Sequence, residues 1–463
     1  MRILLIAPAT GRWLHIGRKG IFGGRTFRFS LLSLLAVAAE TPEEHSVTIC
    51  DEQIDEIDPQ TVEADLVGIT CMTSNAPRAY EFAADFRQRG IPVVLGGIHP
   101  TLCPDEAREH ADAILIGDAE GLWPTIVRDA ENGNLQPIYR HEQKPSLAKL
   151  NPLPRHLLDS KKYASIHPVQ ATRGCPHQCS FCSIAAAHQS CHRQRPVEEV
   201  VAEIRQLPGK LLVFVDDNLT ANRDYARELF RAMKPLKKRW ITQSDLQIAD
   251  DPDFVADMAT AGCVGVFVGL ETFRHDNLTA VDKTSNRVEG YQKAINTLHR
   301  HGIDIEAGIV FGFPRDTPET FAHTLSMLSR LDVDAVQVSI FTPLPGTPAH
   351  RSMQTKIFDR EWEHYDFHHV VFEPELLTAE QLKQGHDWVT RQFYRPRNIL
   401  KRFLRHLVRP ARWRALTFLL SVNLAYLGRI RRWHISGSNP ALNQTTVKQT
   451  ETTSCPDTQP QTG

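Results

Sequence analysis

Hydrophobic positions in the first third of this chain gather into short runs of strand length: "RILLIAPA", "SVTICDE", "ADLVGITCMT", "PVVLGGIHP" and "ADAILIGDAE". Each is rich in branched aliphatic residues and bounded by polar or small ones, as buried strands are. Between two of them, "APRAYEFAADFRQRG" repeats its apolar residues every three to four positions, the period of an amphipathic helix. Apolar strands alternating with such helices predict βαβ units, so residues 1–135 read as a doubly wound, Rossmann-like α/β domain on a parallel sheet.

Residues 136–165 are irregular and proline-bearing ("LQPIYRHEQKPSLAKLNPLPRHLLD") and read as a linker. A second series then begins, with "PVQATRG", "KLLVFVDDN", "RWITQSD", "GVFVGLET", "IDIEAGIVFGFP" and "AVQVSIFTPLPG" as strands and "PVEEVVAEIRQL", "NRDYARELFRAM" and "DPDFVADMATAG" among the helices. Six strand and helix pairs predict a partial (β/α)6 barrel over 166–350. Residues 351–435 read as a helical, basic region and 436–463 as a polar, disordered tail.

A chain of 463 residues with 41% hydrophobic and 23% charged residues can bury the cores of two to three domains. A formal net charge of -1 gives no global pull toward nucleic acid, and no recognised RNA-binding module is present, so a nucleic-acid partner is not expected. The charge is local instead. Arg391, Arg395, Arg397, Lys401, Arg402, Arg405, Arg409, Arg412, Arg414, Arg429, Arg431 and Arg432 frame the apolar run 415–428, with no acidic residue from 391 to 432. That run is shorter than the roughly 20 residues that cross a bilayer, so 391–432 reads either as a peripheral contact with an anionic lipid surface or an acidic substrate, or as a helical cap over the barrel mouth whose arginines pair with acids elsewhere. The opening strand does not resemble a secretory signal, and nine unevenly spaced cysteines suit a reducing, cytoplasmic compartment where thiols are free to bind metal.

Three of those cysteines carry the chemistry. "ATRGCPHQCSFCSI" sets Cys175, Cys179 and Cys182 in a C-x3-C-x2-C array. Thiolates so spaced on one loop can wrap an iron-sulfur cube, filling three irons and leaving the fourth open. A structural zinc is the other reading, completed by His177, His188, Cys191 or His192.

At these residues, including the aromatic Phe181 before the third cysteine, the chain resembles the radical S-adenosylmethionine (SAM) superfamily. The resemblance implies a [4Fe-4S] cluster on Cys175, Cys179 and Cys182 whose open iron chelates SAM, which is cleaved to a 5'-deoxyadenosyl radical. It places SAM contacts at later strand ends: Asp216, Asp217 and Asn218 of "VDDN", Ser244, Gly269 and Glu271 of "GLET", and Gly308 and Gly312 of "GIVFGFP". The sequence departs from the family where the two aspartates replace glycines and Arg315 stands for a usual glutamate. Ordinary structural roles, such as an ion pair at a strand terminus for Glu271, stay open for these positions.

The domain in front of the barrel is similar to that of the cobalamin-binding subgroup. Candidate corrinoid contacts follow successive strands: Thr70, Thr73 and Ser74, then Gly96, Gly97 and His99, then Gly117, Asp118 and Glu120. The D-x-H-x-x-G motif that supplies a histidine to cobalt is missing, since "WLHIGR" keeps only His15, so the resemblance implies a corrinoid without a histidine below. It further implies a radical SAM enzyme methylating an unactivated carbon, with a small-molecule or lipid substrate and an electron donor such as flavodoxin or ferredoxin. Its alternatives are a cyclase or oxidative enzyme with the same two cofactors, as in anaerobic tetrapyrrole cyclisation, and a non-catalytic metal-binding protein.

Overall fold

The computed structural model describes residues 1–10 and 31–432. The reading of His15 as a cobalt ligand and the tail 436–463 lie outside the described residues.

The first sheet joins β1 (Arg2–Ala7), β2 (Ser46–Asp51), β3 (Leu66–Thr70), β4 (Val93–Gly96), β5 (Ala113–Ile116) and β6 (Ile138–Arg140), in the order β2-β1-β3-β4-β5-β6. Every pairing is parallel. Residues alternate between two cores. Leu4 and Ile6 meet Phe82, Ala83 and Phe86 of the helix Ala76–Gln88, while Ile3 and Leu5 meet Leu34, Trp123 and Ile126 on the other side. This is why the strands read as unbroken apolar runs. The strand β6 falls where the pattern predicts a linker. Pro137 precedes it and Tyr139 is its one buried side chain, so an edge strand of three residues leaves no periodic signal.

The second domain opens with β7 (His167–Val169) and a short antiparallel pair, β8 (Thr172–Arg173) and β9 (Arg193–Gln194). It continues with β10 (Leu211–Phe214), β11 (Arg239–Gln243), β12 (Cys263–Glu271), β13 (Asp304–Phe311) and β14 (Ala335–Ile340). Six parallel strands in the order β14-β13-β12-β11-β10-β7 form the open, partial barrel that the pattern predicts.

Three long helices follow: Ala379–Phe393, Pro396–Leu407 and Leu416–Arg432. The first packs along β14, with Leu382 reaching Gly312 just past the end of β13, while the last two cover the end of the barrel where the strands begin, which corrects the expectation that 391–432 caps its mouth. Asp304 opens β13 and Asp334 immediately precedes β14, and both are buried there. His406 Nε2 lies 2.7 Å from Asp304, Arg412 donates to Asp304 at 2.9 Å and pairs with Asp334, and His299 Nε2 lies 2.9 Å from Asp334. The acids sit at strand starts, so the arginines that pair with them must come to that end. The apolar run packs in the same place, with the Phe418 ring filling the space a side chain at Gly265 would need. No described helix is long and apolar enough to cross a membrane.

Candidate functional site

The C-terminal ends of the two sheets face each other across a cavity of about 940 Å³. Leu5, Gly68, Thr70, Gly96, Gly97 and Gly117 line it from the first domain, and Gln170, Arg173, Ile184, His188, Val215 and Asp217 from the second. Such crevices at strand C-termini are where parallel sheets bind ligands. The glycines keep the wall flat. At Gly97, with φ +102°, an added Cβ would lie 2.7 Å from the Cys71 carbonyl oxygen, so the chain turns here only without a side chain.

The cysteine loop rises directly from the β8 stem. Gly174, at φ +86°, passes so close to the Cys191 carbonyl that no Cβ fits. The two aspartates after β10 hold this stem: Asp216 accepts from Ala171 N at 3.1 Å, from Thr172 N and from Thr172 Oγ1 at 2.7 Å, and Asp217 accepts from Gly174 N at 2.8 Å. Asp216 is fully buried with no cation among these partners, and burial pushes its carboxyl up to about 7. Asn218 donates to Asp245 at 3.0 Å and Ser244 shares a 2.6 Å hydrogen bond with Thr220, beside the stem.

Cys175, Cys179 and Cys182 lie within electrostatic reach of one another and of Lys283. Burial pushes the Cys179 thiol up to about 11, and Lys283 pulls against it. The backbone N–H groups of Ile184 and Ala185 point at the Cys182 sulfur. Among the described residues, the three sulfurs do not all fall within 4.8 Å of one another. A [4Fe-4S] cube holds its thiolate ligands farther apart than a single tetrahedral zinc does, and it carries negative charge. This spread, with a cation behind it, fits a cluster.

Lys283 is partly buried, and its Nζ lies 3.3 Å from Glu271. Burial opposes its charge, but Glu271 and the thiols outweigh it and the amine is held charged. Glu271 itself has φ +63°, at a point where the β12 and β13 pairing shifts register. Asn286 holds this bulge by donating to Gly269 O at 2.8 Å, and Tyr291 by donating to Leu270 O at 3.0 Å. The bulge folds the carboxylate back over Gly269, where a Cβ would lie 2.2 Å from Oε1. Gly308 packs beneath the Phe267 ring, while Gly312, at φ +104°, sits against Leu382 of the C-terminal region.

The corrinoid candidates divide. Thr70, Gly96, Gly97, Gly117, Asp118 and Glu120 line the cavity, whereas Thr73, Ser74 and His99 are not among its lining residues. The buried His99 imidazole lies 3.0 Å from the Tyr80 hydroxyl and 3.3 Å from Thr73, and packs edge-on against Trp362. Asp118 and Glu120 are already paired. Arg173 donates to Asp118 at 2.5 Å and to Glu120 at 2.8 Å, and Arg193 reaches Asp118 at 2.8 Å. These partly buried pairs join the first domain to the stem of the cysteine loop, two residues before Cys175. Sequence reasoning missed Arg173 and Lys283 as functional residues. Arg173 stands inside the quoted motif, but its partners are more than fifty positions away; Lys283 carries no local signal.

Comparison with known proteins agrees with this arrangement. Residues 169–328 match the model of the Radical SAM superfamily, and residues 22–127 match the B12 binding domain. The chain is 31% identical over 382 residues to a bacteriochlorophyllide d C-12(1)-methyltransferase of Chlorobaculum tepidum, covering 80% of this chain and 84% of that protein. It is 26% identical over 390 residues to a hopanoid C-2 methylase of Rhodopseudomonas palustris, covering 80% and 72%. Its fold matches that of TsrM, a radical S-adenosylmethionine methyltransferase from Kitasatospora setae solved with cobalamin and a [4Fe-4S] cluster bound, with a TM-score of 0.61 at 18% identity over 76% of this chain and 77% of that one. With its two domains and a glycine-walled cavity that reaches Arg173, Ile184 and His188 on either side of its three-cysteine loop, the chain belongs to the B12-binding radical SAM enzymes, whose cofactors are a [4Fe-4S] cluster, SAM and cobalamin.

Proposed function

We propose that this enzyme methylates an unactivated carbon of a small-molecule or lipid substrate lying between the cysteine loop and the glycine-lined wall. The observation that carries the reading is the shared chamber: one cavity reaches from Gly96, Gly97 and Gly117 to Asp217, Ile184 and His188 beside the cysteines. In this reading Cys175, Cys179 and Cys182 hold the cluster, the strand ends around Asn218, Ser244, Glu271 and Gly308 hold SAM, and the glycine wall with Thr70 takes the corrinoid. Bound there, the three cofactors supply a substrate radical and a methyl group to meet it.

The chain's own residues do the rest. Lys283 balances negative charge at the cysteine loop from a partly buried site, where a charge is screened less than in open water. Arg173 fixes the loop against Asp118 and Glu120, and so fixes the gap in which a substrate carbon can sit. A one-electron donor of the flavodoxin or ferredoxin type, and a place at the cytoplasmic face of the membrane with residues 391–432 in contact, belong to the same proposal.

The test uses the reconstituted holoenzyme with SAM labelled in its methyl group. Bacteriochlorophyllide-type tetrapyrroles and polycyclic lipids serve as trial substrates, chosen from what the two relatives modify. Labelled product together with S-adenosylhomocysteine and 5'-deoxyadenosine is the expected result. A cyclised or oxidised product without label, with 5'-deoxyadenosine alone, would instead identify a cyclase or oxidative enzyme.

A further inference from the structure

The helix Pro396–Leu407 has its amphipathicity turned inside out. Its buried residues are Arg402 and His406. Arg402 lies over the Phe393 ring at 4.1 Å and donates to Asn423 at 2.7 Å, and His406 faces Asp304. Its leucines point away from the protein. Leu400, Leu404 and Leu407 are 57%, 52% and 42% exposed, and Val408 and Trp413, just beyond the helix, reach 77% and 58%.

Positions 400, 404 and 407 follow the i, i+4, i+7 spacing of one helical stripe, and 408 and 413 extend it. An apolar stripe that the fold pins outward, by burying the charged side of the same helix, is a surface built to be covered. The ion pairs beneath it make the platform rigid rather than a frayed end. Charge says what covers it. Arg395, Arg397 and Lys401 border the stripe, are exposed, and have no ion-pair partner among the described residues. With no acidic residue between 391 and 432, nothing in the segment opposes an anionic partner.

We infer that Leu400, Leu404, Leu407, Val408 and Trp413, ringed by Arg395, Arg397 and Lys401, form a docking surface for an anionic lipid bilayer, lying in its interface without crossing it. Leucines enter the acyl boundary, the indole sits at headgroup depth, and the cations meet lipid phosphates. The surface is at the barrel end opposite the cysteine loop, so docking leaves the cavity between the domains facing away from the lipid. The inference refines the peripheral-contact proposal and is independent of the reaction: failure here leaves methyl transfer untouched, and failure of methyl transfer leaves the surface standing.

The experiment is co-sedimentation of the full-length holoenzyme with phosphatidylcholine vesicles, with and without phosphatidylglycerol, beside the double variant Leu400→Glu/Leu404→Glu and the variant Arg397→Glu/Lys401→Glu. Wild type should pellet with the phosphatidylglycerol vesicles and far less with the neutral ones. The leucine variant should bind at least about tenfold more weakly, as expected for losing two buried leucines. The charge variant should lose the salt-sensitive part of binding. All three proteins should keep the same circular dichroism spectrum and rate of SAM cleavage, since the substituted side chains are exposed. Wild type failing to pellet with anionic vesicles, or the leucine variant pelleting equally well, would overturn the proposal. So would a concentration-dependent dimer in sedimentation velocity that the leucine variant abolishes while vesicle binding stays absent, because the covering partner would then be a second copy.

Discussion

The two ends of the barrel both collect charged residues, and they use them in opposite ways. Where the strands begin, Asp304 and Asp334 are matched by Arg412, His299 and His406 in a network that water does not reach. Where the strands end, Asp216 has three neutral donors and no cation, Lys283 stands between a carboxylate and three thiols, and Asp217 borders an open cavity. A closed network spends its charges on holding helices in place, while the other end keeps charge and space in reserve for groups the chain does not itself supply. The contrast separates a structural end from a chemical one more clearly than residue type does, since both are rich in Asp and basic side chains.

The largest effect that would sharpen this contrast is at the chemical end. Cys179→Ala should abolish both iron binding and SAM cleavage, read by iron content and by 5'-deoxyadenosine formation, with the thermal midpoint of the iron-free protein nearly unchanged. At the structural end the outcome should reverse. Arg412→Met leaves two buried aspartates short of a cation and should cost about 3–5 kcal/mol of stability in denaturant titration. The folded fraction should still assemble its cluster.

Opposite responses to pH follow from the two carboxylates. Burial holds the Asp216 pKa above its usual value, near 7, so the folded state binds a proton that the unfolded state releases. Stability from this group is therefore full below pH ~4 and is lost as pH rises toward 7. Asp334 lies buried beside His299 and Arg412 and is held below the carboxylate range, so its contribution is present above pH ~4 and is lost only in stronger acid. In urea titrations from pH 4 to 8, wild type should lose a few kcal/mol, and Asp216→Asn should remove that decline. An unchanged slope would show that Asp216 is not the group responsible.

Arg173→Lys tests the join between the domains. Lysine keeps the charge but cannot span Asp118 and Glu120 with a planar fork. Cobalamin affinity should fall about tenfold, the scale of one weakened charge-assisted pair, and 5'-deoxyadenosine should form in excess over methylated product. The smallest expected effect is that of Cys191→Ala, which should leave cluster content and SAM cleavage at wild-type levels. Loss of the cluster in that variant would overturn the assignment of Cys175, Cys179 and Cys182.

Much of this was legible along the chain, because the signals are local. A buried parallel strand needs a continuous apolar run, and a loop that wraps a cluster needs its thiols a few residues apart, so both are written in consecutive positions. The β6 strand was not legible, since three residues at a sheet edge bury one side chain and leave no period. Glu271 was picked out as a strand-end residue, but the bulge that turns it over Gly269 depends on Asn286 and Tyr291, which the chain supplies fifteen and twenty positions later.

By itself, the sequence determined two parallel α/β domains, a three-thiol loop near the start of the second and a basic C-terminal segment, for each follows from periodicity, spacing or composition. Only the tertiary structure decided which charges are spent and which are held ready: that Arg173 locks the loop to Asp118 and Glu120, that Lys283 backs the thiols, and that Arg402 and His406 turn inward while Leu400 and Leu404 turn outward. A side chain's partner is set by what the fold brings within about 3 Å, and pairing across fifty to a hundred residues leaves no mark in the local pattern.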